Sequence, residues 1–393
     1  MTRARSLLLG VVLSAFYNVA RHGELSLFVE ASVMAKRRTP AARPFADAPA
    51  INPMQLGGIE TSVLDDGPGR GNRIAWVNTG GGLRYKVMID RGLDIADAEF
   101  LGQSLTWHSL GGPLVPSHAC THGMEWLWGF YGGLLVSCGP LNTGAPFVED
   151  GKDYGLHGTH SYTRAIVESI INPDPARGQY EMSITGIVRT ARLFGPNVEL
   201  RRTIGSTLGE PAVRVHDVFL NRGNQEAPHA WLMHINFGYP LLEPGASTYC
   251  YRGEIDRRLD STGWFKPGRD FRAAVEPQES HRGIGEAFAY VNPKADAKGM
   301  VLAGVVNRKR GFGVKIVYPA KEFARMGNWQ HWGPSGEYVG ALEPMTASVE
   351  GWAKDRQRGW FRTLKPGQKV EYHCTITATN EKADLEQLLK LNR

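Results

Sequence analysis

The stretch "WLMHINFGYP" at residues 231–240 alternates two kinds of side chain with a period of two. One side of an extended chain would carry Trp231, Met233, Ile235, Phe237 and Tyr239, and the other Leu232, His234, Asn236 and Gly238. Since successive side chains of a strand point to opposite faces of a sheet, this pattern predicts a strand whose first face packs in the core. The second face is unusual, because a solvent-facing strand more often carries Lys, Glu, Thr or Ser. His234 and Asn236 are therefore candidate ligand-binding residues, with an ordinary hydrogen-bonded or solvent-facing histidine as the alternative.

Strand-like segments recur on both sides of this stretch and are separated by turns rich in Gly, Pro and Asn. Roughly fifteen such segments without crossover helices predict antiparallel sheets packed face to face. We therefore expect an all-β fold, one large antiparallel β-sandwich with few short helices, over residues 56–393. Only "EKADLEQLLKL" at residues 381–391 has helical spacing, with Asn380 as its expected N-cap.

Composition narrows the class of protein without naming a chemistry. The 393 residues are 42% hydrophobic and 21% charged, which is typical of a globular protein. The formal net charge of +6 comes from scattered basic residues, which argues against a nucleic-acid partner. The four cysteines form no CxxC pair, so they indicate free thiols and neither a zinc knuckle nor a disulfide framework; they are Cys120, Cys138, Cys250 and Cys374.

Residues 1–50 are predicted to form a disordered leader. Arg3 and Arg5 precede the apolar run "LLLGVVLSAF", which resembles a signal peptide but has no small-x-small cleavage site after it. The run is also too short for a spanning helix, so no stable membrane insertion is expected. An over-extended gene start, with Met34 as the true start, is the favoured explanation. We expect a cytoplasmic protein, with export to the periplasm as the alternative if residues 1–20 act as a signal.

Two further segments carry polar side chains that a site could use. In "DYGLHGTHSYTRA", His157 and His160 flank a Gly-Thr pair, and the glycines would allow close approach to a ligand. A surface position or a metal site would explain the two histidines equally well. Glu343 ends the apolar run "YVGALEP" before Pro344, which predicts that the strand ends or bulges there. Most carboxylates at strand ends are solvated, but burial in a cleft would raise the pKa towards that of a general base.

A glycine-rich aromatic segment, "EWLWGFYGGLLVSCGPLNTG" at residues 125–144, offers several rings, among them Trp126, Trp128 and Phe130. Rings on such a loop would suit stacking against the apolar faces of a sugar, and a hydrophobic plug over the end of the sandwich is the alternative. Arg91 and Asp94 lie at a predicted turn, where an Arg–Asp surface pair is the ordinary explanation.

These segments together resemble the galactose-mutarotase-like superfamily, and within it the aldose 1-epimerase-related DUF4432 family. "LHG" at 156–158 resembles the mutarotase "LHGG" element, "HINFGYP" at 234–240 its histidine strand, and "LEP" at 342–344 its glutamate strand. "RGLDI" at 91–95 and "GGL…CGPLNTG" at 132–144 resemble the DUF4432 branch in particular. The resemblance covers roughly residues 56–380, with Thr159 in place of the second glycine of "LHGG".

The resemblance implies a sugar-binding isomerase in which Glu343 is the general base and His234 the general acid for opening the sugar ring. His157 and Arg91 would then hold ring hydroxyls, and the aromatic loop with Trp128 would supply a stacking surface. Asn236 would face the sugar beside His234, and His160, Gln330 and His331 are secondary candidates for contacts with it. No metal or organic cofactor is expected, and the partner is a small sugar or sugar derivative.

Two other classes remain open at this point. The same groove could bind a carbohydrate without turnover, or it could hold a metal ion on His157, His160 and His234 for a lyase or isomerase of a modified sugar. Basic residues near the site would favour an acidic or phosphorylated sugar; the candidates are Arg73, Arg84, Lys86 and Arg325.

Overall fold

Antiparallel strand pairs build almost all of the regular structure in the described part of residues 45–393, which form one unit of the chain. The computed structural model describes residues 52–260, 263–266, 271–283, 287–334 and 336–392. The predicted leader, residues 1–50, lies outside the described residues.

The strands, numbered in chain order, are Gly58–Val63 (β1), Arg73–Asn78 (β2), Leu83–Met88 (β3), Asp94–Phe100 (β4), Gln103–Ser104 (β5), Trp107–His108 (β6), Gly132–Gly133 (β7), Leu135–Cys138 (β8), Phe147–Glu149 (β9), Lys152–Tyr154 (β10), Ile166–Ile171 (β11), Glu181–Ala191 (β12), Asn197–Thr207 (β13), Ala212–Asn221 (β14), Ala227–Pro228 (β15), Leu232–Phe237 (β16), Ser247–Tyr251 (β17), Gly253–Asp260 (β18), Ala287–Pro293 (β19), Met300–Asn307 (β20), Phe312–Pro319 (β21), Arg325–Trp332 (β22), Tyr338–Met345 (β23), Thr363–Leu364 (β24) and Lys369–Thr379 (β25). The α-helices are Trp352–Arg358 (α1) and Lys382–Leu389 (α2), and short 3-10 helices lie at Pro53–Gln55, His118–Thr121, Glu125–Gly129, His160–Tyr162, Pro175–Arg177, Glu279–His281 and Lys390–Asn392.

Two large sheets carry the fold. The first runs in the order β1-β2-β3-β4-β8-β16-β23-β22-β19-β18, with β5 paired to β4 as its eleventh strand. The second has eight strands in the order β11-β12-β13-β14-β25-β21-β20-β17. All of these strand pairs are antiparallel, so the predicted fold class, a large antiparallel β-sandwich with few short helices, is confirmed.

The main core lies where alternate side chains of both sheets interdigitate. Val87 and Ile235 of the first sheet share it with Ile204 and Val314 of the second, and all four are fully buried. A second apolar layer covers the other face of the first sheet, where Leu232, Phe288 and Met345 pack under side chains such as Trp126 from the loops. Strands β16, β22 and β23 are therefore covered on both faces.

Three local predictions need correction. Tyr239 lies beyond the end of β16 and is 64% exposed, because the strand stops at Phe237 before the Tyr239–Pro240 bond. Strand β23 continues through Pro344 to Met345, since Pro344 lies opposite Met326 and keeps its place in the sheet. The C-terminal helix exists, but Glu381 and not Asn380 is its N-cap. Helix α1, which follows Gly351, was not predicted from the sequence.

None of the helices in the described part of the chain is long and apolar enough to cross a membrane.

Candidate functional site

The candidate site lies on the loop-covered face of the first sheet. Strand β16 occupies a central position between β8 and β23, and all six of its residues are buried. Met233 and Ile235 point into the core between the sheets, whereas Leu232 packs in the layer beneath the loops. The polar face noted in the sequence is therefore covered by protein and is not a solvent face.

His234 and Glu343 face each other across two neighbouring strands. The register of β16 with β23 pairs Leu232 with Met345 and Ile235 with Leu342, which puts His234 opposite Glu343. The Nε2 atom of His234 lies 3.3 Å from Oε1 of Glu343, and the two residues are 5% and 1% exposed. Because both side chains sit on rigid central strands, the sheet fixes their separation.

A cavity of about 670 Å³ opens above this pair. Aromatic rings form much of its wall: the ring centroids of Phe130 and Trp329 lie 5.4 Å and 5.2 Å from that of His234. The lining residues include Trp107, Trp126, Phe130, His157, His234, Phe288, Trp329, His331, Glu337, Glu343 and Glu350. The site thus combines flat apolar surfaces with a few convergent polar groups, as small-molecule sites do.

His157 enters the cavity from a loop that needs an uncommon backbone conformation. Its φ angle is +59°, followed by Gly158 at +72°, so the chain turns back sharply at this point. Hydrogen bonds fix the turn, since Gly139 N–H donates to the carbonyl of His157 over 2.9 Å and Gly144 N–H donates to Nδ1 of His157 over 3.2 Å. The ring of His157 lies 5.9 Å from that of His234, and it packs 4.7 Å from Trp126.

Burial favours the neutral forms of His157 and His234, two of the three histidines that line the cavity. It lowers the pKa of His157 to about 4 and that of His234 to about 3. The proximity of His157 lowers the pKa of His234 further, while Asn236 opposes that shift. The carboxylate of Glu343, 3.3 Å from Nε2 of His234, would favour the protonated imidazole when it is ionised.

Carboxylates are the charged groups that line the cavity, namely Glu337, Glu343 and Glu350. Glu350 is ion-paired with Arg358 and accepts a hydrogen bond of 2.9 Å from Tyr290. Within the described ranges, neither lysine nor arginine lines the cavity. The four basic candidates from the sequence are engaged elsewhere: Arg73 with Asp90, Arg84 with Glu99, Lys86 with Asp97, and Arg325 stacked on Trp360.

Gln330 was predicted to contact the ligand, but the structure places it on the opposite face of β22. Trp329 and His331 point into the cavity, so the residue between them points into the core. There Gln330 accepts a hydrogen bond of 2.5 Å from Trp264 Nε1 and donates to the carbonyl of Phe271 over 2.7 Å. His331 does line the cavity, with Nδ1 2.7 Å from the carbonyl oxygen of Glu337.

Arg91 is also outside the cavity, contrary to the role predicted for it, and it is fully buried. Its guanidinium donates to the carbonyl oxygens of Leu114 at 3.0 Å, Gly129 at 2.9 Å and Ser161. It also lies 4.2 Å from the ring centroid of Tyr162. Arg91 therefore ties together three loop segments that cover the sheet, and it does not form the surface pair with Asp94 considered from the sequence.

His160 lies on the core side of the first sheet and is 1% exposed. The prediction that it contacts the ligand beside His157 is therefore wrong. Its Nε2 is 3.0 Å from the carbonyl oxygen of Gly92, and its ring meets Trp231 edge to face at 4.8 Å. Burial and the charge of Arg202 hold the pKa of His160 well below its usual range.

Two other predicted contacts do not line the cavity. Asn236 is fully buried on the same face as His234 and donates to the carbonyls of His234 at 3.1 Å and Gly132 at 3.4 Å. Trp128 is 71% exposed on the short helix Glu125–Gly129, so its neighbours Trp126 and Phe130 supply the aromatic wall. Trp329, which was not proposed from the sequence, could have been found from the alternation of "NWQHW" on β22.

The three histidines of the metal hypothesis do not come together, because His160 is on the core side while His157 and His234 line the cavity. In the part of the chain that the structure describes, one group of three ligating side chains converges, and it lies outside the cavity: His216, Glu371 and His373.

Comparison with protein families matches residues 69–378 to the model described as a domain of unknown function, DUF4432. No curated protein matches the chain.

Among solved structures, the chain is similar to a "putative aldose 1-epimerase" from Klebsiella pneumoniae subsp. pneumoniae MGH 78578, with a TM-score of 0.76 and 24% identity over 87% of this chain and 91% of that one. A galactose mutarotase-like protein from Clostridium acetobutylicum gives a TM-score of 0.56 at 14% identity, covering 83% and 100% of the two chains. Galactose 1-epimerase from Lactobacillus acidophilus NCFM gives 0.53 at 9% identity, covering 82% and 98%. These likenesses show a galactose mutarotase-like fold.

Proposed function

The chain belongs to the DUF4432 family, and from that premise and the geometry of its cavity we propose that it is an aldose 1-epimerase-like enzyme that interconverts sugar anomers by acid–base ring opening. The observation that carries the proposal is the His234–Glu343 pair, 3.3 Å apart at the floor of an aromatic-walled cavity. The fold that the chain shares with solved mutarotase-like proteins also supports the proposed activity.

The cavity has the surfaces that a pyranose requires. Its volume of about 670 Å³ falls within the usual range for small-molecule sites. Trp126, Phe130 and Trp329 present ring faces on which the C–H faces of a sugar can stack. His157 and His331 present imidazole nitrogens that can exchange hydrogen bonds with ring hydroxyls.

Ring opening needs one base and one acid at the two ends of the O1–C1–O5 unit. In the proposed reaction Glu343 takes the proton from the anomeric hydroxyl, and protonated His234 delivers a proton to the ring oxygen O5 as the C1–O5 bond breaks. The open-chain aldehyde rotates about C1–C2. On closure the O5 hydroxyl returns its proton to His234, the carboxylic acid of Glu343 returns a proton to O1, and both residues regain their starting states.

The protonation state of His234 sets the pH dependence of this reaction. The acid form is opposed by burial, which lowers the pKa to about 3, and is favoured by the neighbouring Glu343 carboxylate. A sugar that displaces water from the cavity strengthens the attraction between these two charges, because the local dielectric falls. Since the acid form of His234 is lost as pH rises through its lowered pKa, we expect kcat/KM to fall as the pH is raised.

The charge of the cavity bears on the class of sugar. Three carboxylates line it, and no lysine or arginine does so in the described ranges. Glu350 is paired with Arg358, so an anionic group on the ligand would meet the carboxylates of Glu337 and Glu343 without a lining lysine or arginine to pair with it. We expect neutral aldoses or amino sugars to be preferred over uronic acids and sugar phosphates.

The testing experiment is NMR exchange spectroscopy of anomer interconversion for neutral aldoses, amino sugars, uronic acids and sugar phosphates. We expect wild type to accelerate exchange for the uncharged or cationic sugars. Glu343→Gln and His234→Ala should each lose about two to four powers of ten of that rate, the usual contribution of a general acid or base. Glu337→Gln is the matched control, because it removes another cavity carboxylate outside the pair. A rate unaffected by either pair variant would refute the assignment.

A second candidate, carbohydrate binding without turnover, is favoured by the burial of His234, which lowers its pKa to about 3; a neutral imidazole is too weak an acid to protonate O5. Titration calorimetry with the same sugars separates the two. Saturable binding that survives in Glu343→Gln, with no accelerated exchange by wild type, would establish a binding protein.

A further inference from the structure

A second cluster of histidines and carboxylates lies on the eight-stranded sheet, on its face away from the core. In β14 and β25 the residues Val215 and Cys374 point into the core, so His216 and His373 point outward. Their side chains are 32% and 48% exposed. None of these residues belongs to the cavity described above.

The two histidines are cross-strand partners at close range. His216 pairs with His373 in the antiparallel register of β14 and β25. The backbone N–H of His373 donates to Glu322 over 2.6 Å, so it points away from β14. The pair is therefore of the non-hydrogen-bonded type, in which facing side chains lie closest. The two imidazoles stack with centroids 4.3 Å apart and planes 14° from parallel.

Each imidazole has a carboxylate beside it. Nε2 of His216 is 3.1 Å from Oε2 of Glu371, and Nδ1 of His373 is 3.1 Å from Oε1 of Glu322. One ligand atom from each of His216, Glu371 and His373 lies within 4.8 Å of the others. Two ligands of a tetrahedral ion, each about 2.0–2.1 Å from it, lie about 3.3 Å apart, so the His216–Glu371 spacing already suits a shared ion.

We propose that His216, His373 and Glu371 form a binding site for a divalent transition-metal ion, with Zn²⁺ as the best match to two imidazoles and one carboxylate. Glu322 is the orienting partner: it accepts from both the backbone N–H and Nδ1 of His373, which leaves Nε2 of that ring for the metal. A fourth position stays open to water. Ca²⁺ and Mg²⁺ prefer all-oxygen sites and would bind poorly.

The competing explanation is a pair of ordinary His–Glu surface contacts. Lys321 and Arg362 line the same shallow depression and weaken its attraction for cations. His122 provides a matched control for that explanation. It is exposed and its Nδ1 lies 2.9 Å from the carboxylate of Asp153, and this contact involves a single histidine.

The test is calorimetric titration of chelator-treated protein with Zn²⁺, alongside Ca²⁺. We expect one equivalent of Zn²⁺ with micromolar affinity, weakened at least tenfold in both His216→Ala and His373→Ala. Glu322→Gln should weaken it by about 10- to 100-fold, the usual effect of losing an orienting partner. Circular dichroism checks that each variant is folded.

Zinc affinity should be unchanged in His122→Ala and in the cavity variant His234→Ala. The proposal is overturned if wild type takes up no stoichiometric Zn²⁺, if His216→Ala and His373→Ala bind it as tightly as wild type does, or if His234→Ala abolishes binding. Ca²⁺ binding as tight as Zn²⁺ binding would also contradict the proposed ligand set.

Discussion

Two buried polar clusters lie on opposite sides of the first sheet, one between the two sheets and one beneath the loops, and they differ in which groups satisfy their hydrogen bonds. On the core side, Arg202 is fully buried and donates to Asp94 at 2.8 Å, to Asp217 at 2.7 Å and 2.8 Å, and to Ser137 at 2.8 Å. On the loop side, His234 and Glu343 are almost as buried, yet they face a cavity. Burial of charge does not by itself indicate function; polar groups directed into an open volume do.

The variant with the largest expected effect on stability removes the cation of the core cluster. Arg202→Met would leave the carboxylates of Asp94 and Asp217 buried without it, and breaking such a pair typically costs about 3–5 kcal/mol. Urea denaturation should show that loss in the free energy of unfolding. Glu343→Gln should stay within about 1 kcal/mol of wild type, because the cavity lets neighbouring groups and water adjust. Equal losses of unfolding free energy in the two variants would contradict the proposed difference between the core cluster and the cavity pair.

An effect of intermediate size is expected in the pH dependence of the unfolding free energy. The folded-state pKa of His234 is lowered to about 3, against an ordinary value of 6.5, so between these values the unfolded chain takes up a proton that the folded chain does not. The associated stability is fully present above pH 6.5 and is lost as pH falls towards 3. Between pH 7 and pH 5 this residue should contribute about 2 kcal/mol to the loss of stability on acidification.

His234→Asn should therefore flatten the fall in unfolding free energy between pH 7 and pH 5 by that amount. His122→Asn, at an exposed position outside both clusters, is the comparison variant. An unchanged slope in His234→Asn would show that the cavity solvates the imidazole freely. Asp94 acts in the opposite sense, because burial raises its pKa to about 6 despite the charge of Arg202, so Arg202→Met should be measured at one fixed pH.

The smallest expected effects distinguish the roles of two residues adjacent in sequence, Trp329 and Gln330. Trp329→Ala removes a stacking surface from the cavity and should weaken sugar binding about five- to tenfold, equivalent to about 1 kcal/mol. Gln330→Ala should leave sugar affinity unchanged but lower the unfolding free energy by at least about 1 kcal/mol, because it removes the acceptor of Trp264 Nε1–H. Calorimetry and urea denaturation measure the two effects. A change of sugar affinity in Gln330→Ala alone would reverse the assignment of faces on β22.

Much of the fold could be predicted from the sequence because strand alternation is a local property. The faces of β16 follow from the period of two, and the resemblance of short motifs singled out His157, His234 and Glu343, which meet in one cavity. The same parity rule, applied to β22, would have separated Trp329 from Gln330.

Loop residues were harder to predict, since their direction depends on contacts distant in sequence. His157 and His160 are three residues apart, but the turn at Gly158 sends them to opposite faces of the sheet. Trp126 and Trp128 diverge in the same way on a short helix.

The contacts of Arg91 have a consequence for which residues of the covering loops can be substituted. Most of its hydrogen bonds go to main-chain oxygens, those of Leu114, Gly129 and Ser161, with one further contact to the hydroxyl of Ser161. Main-chain acceptors are present whatever the side chain, so the residues along these loops can be exchanged while the anchor persists. The side chains of the loops that line the cavity can thus change while the main chain of these loops stays anchored to the sheet by Arg91.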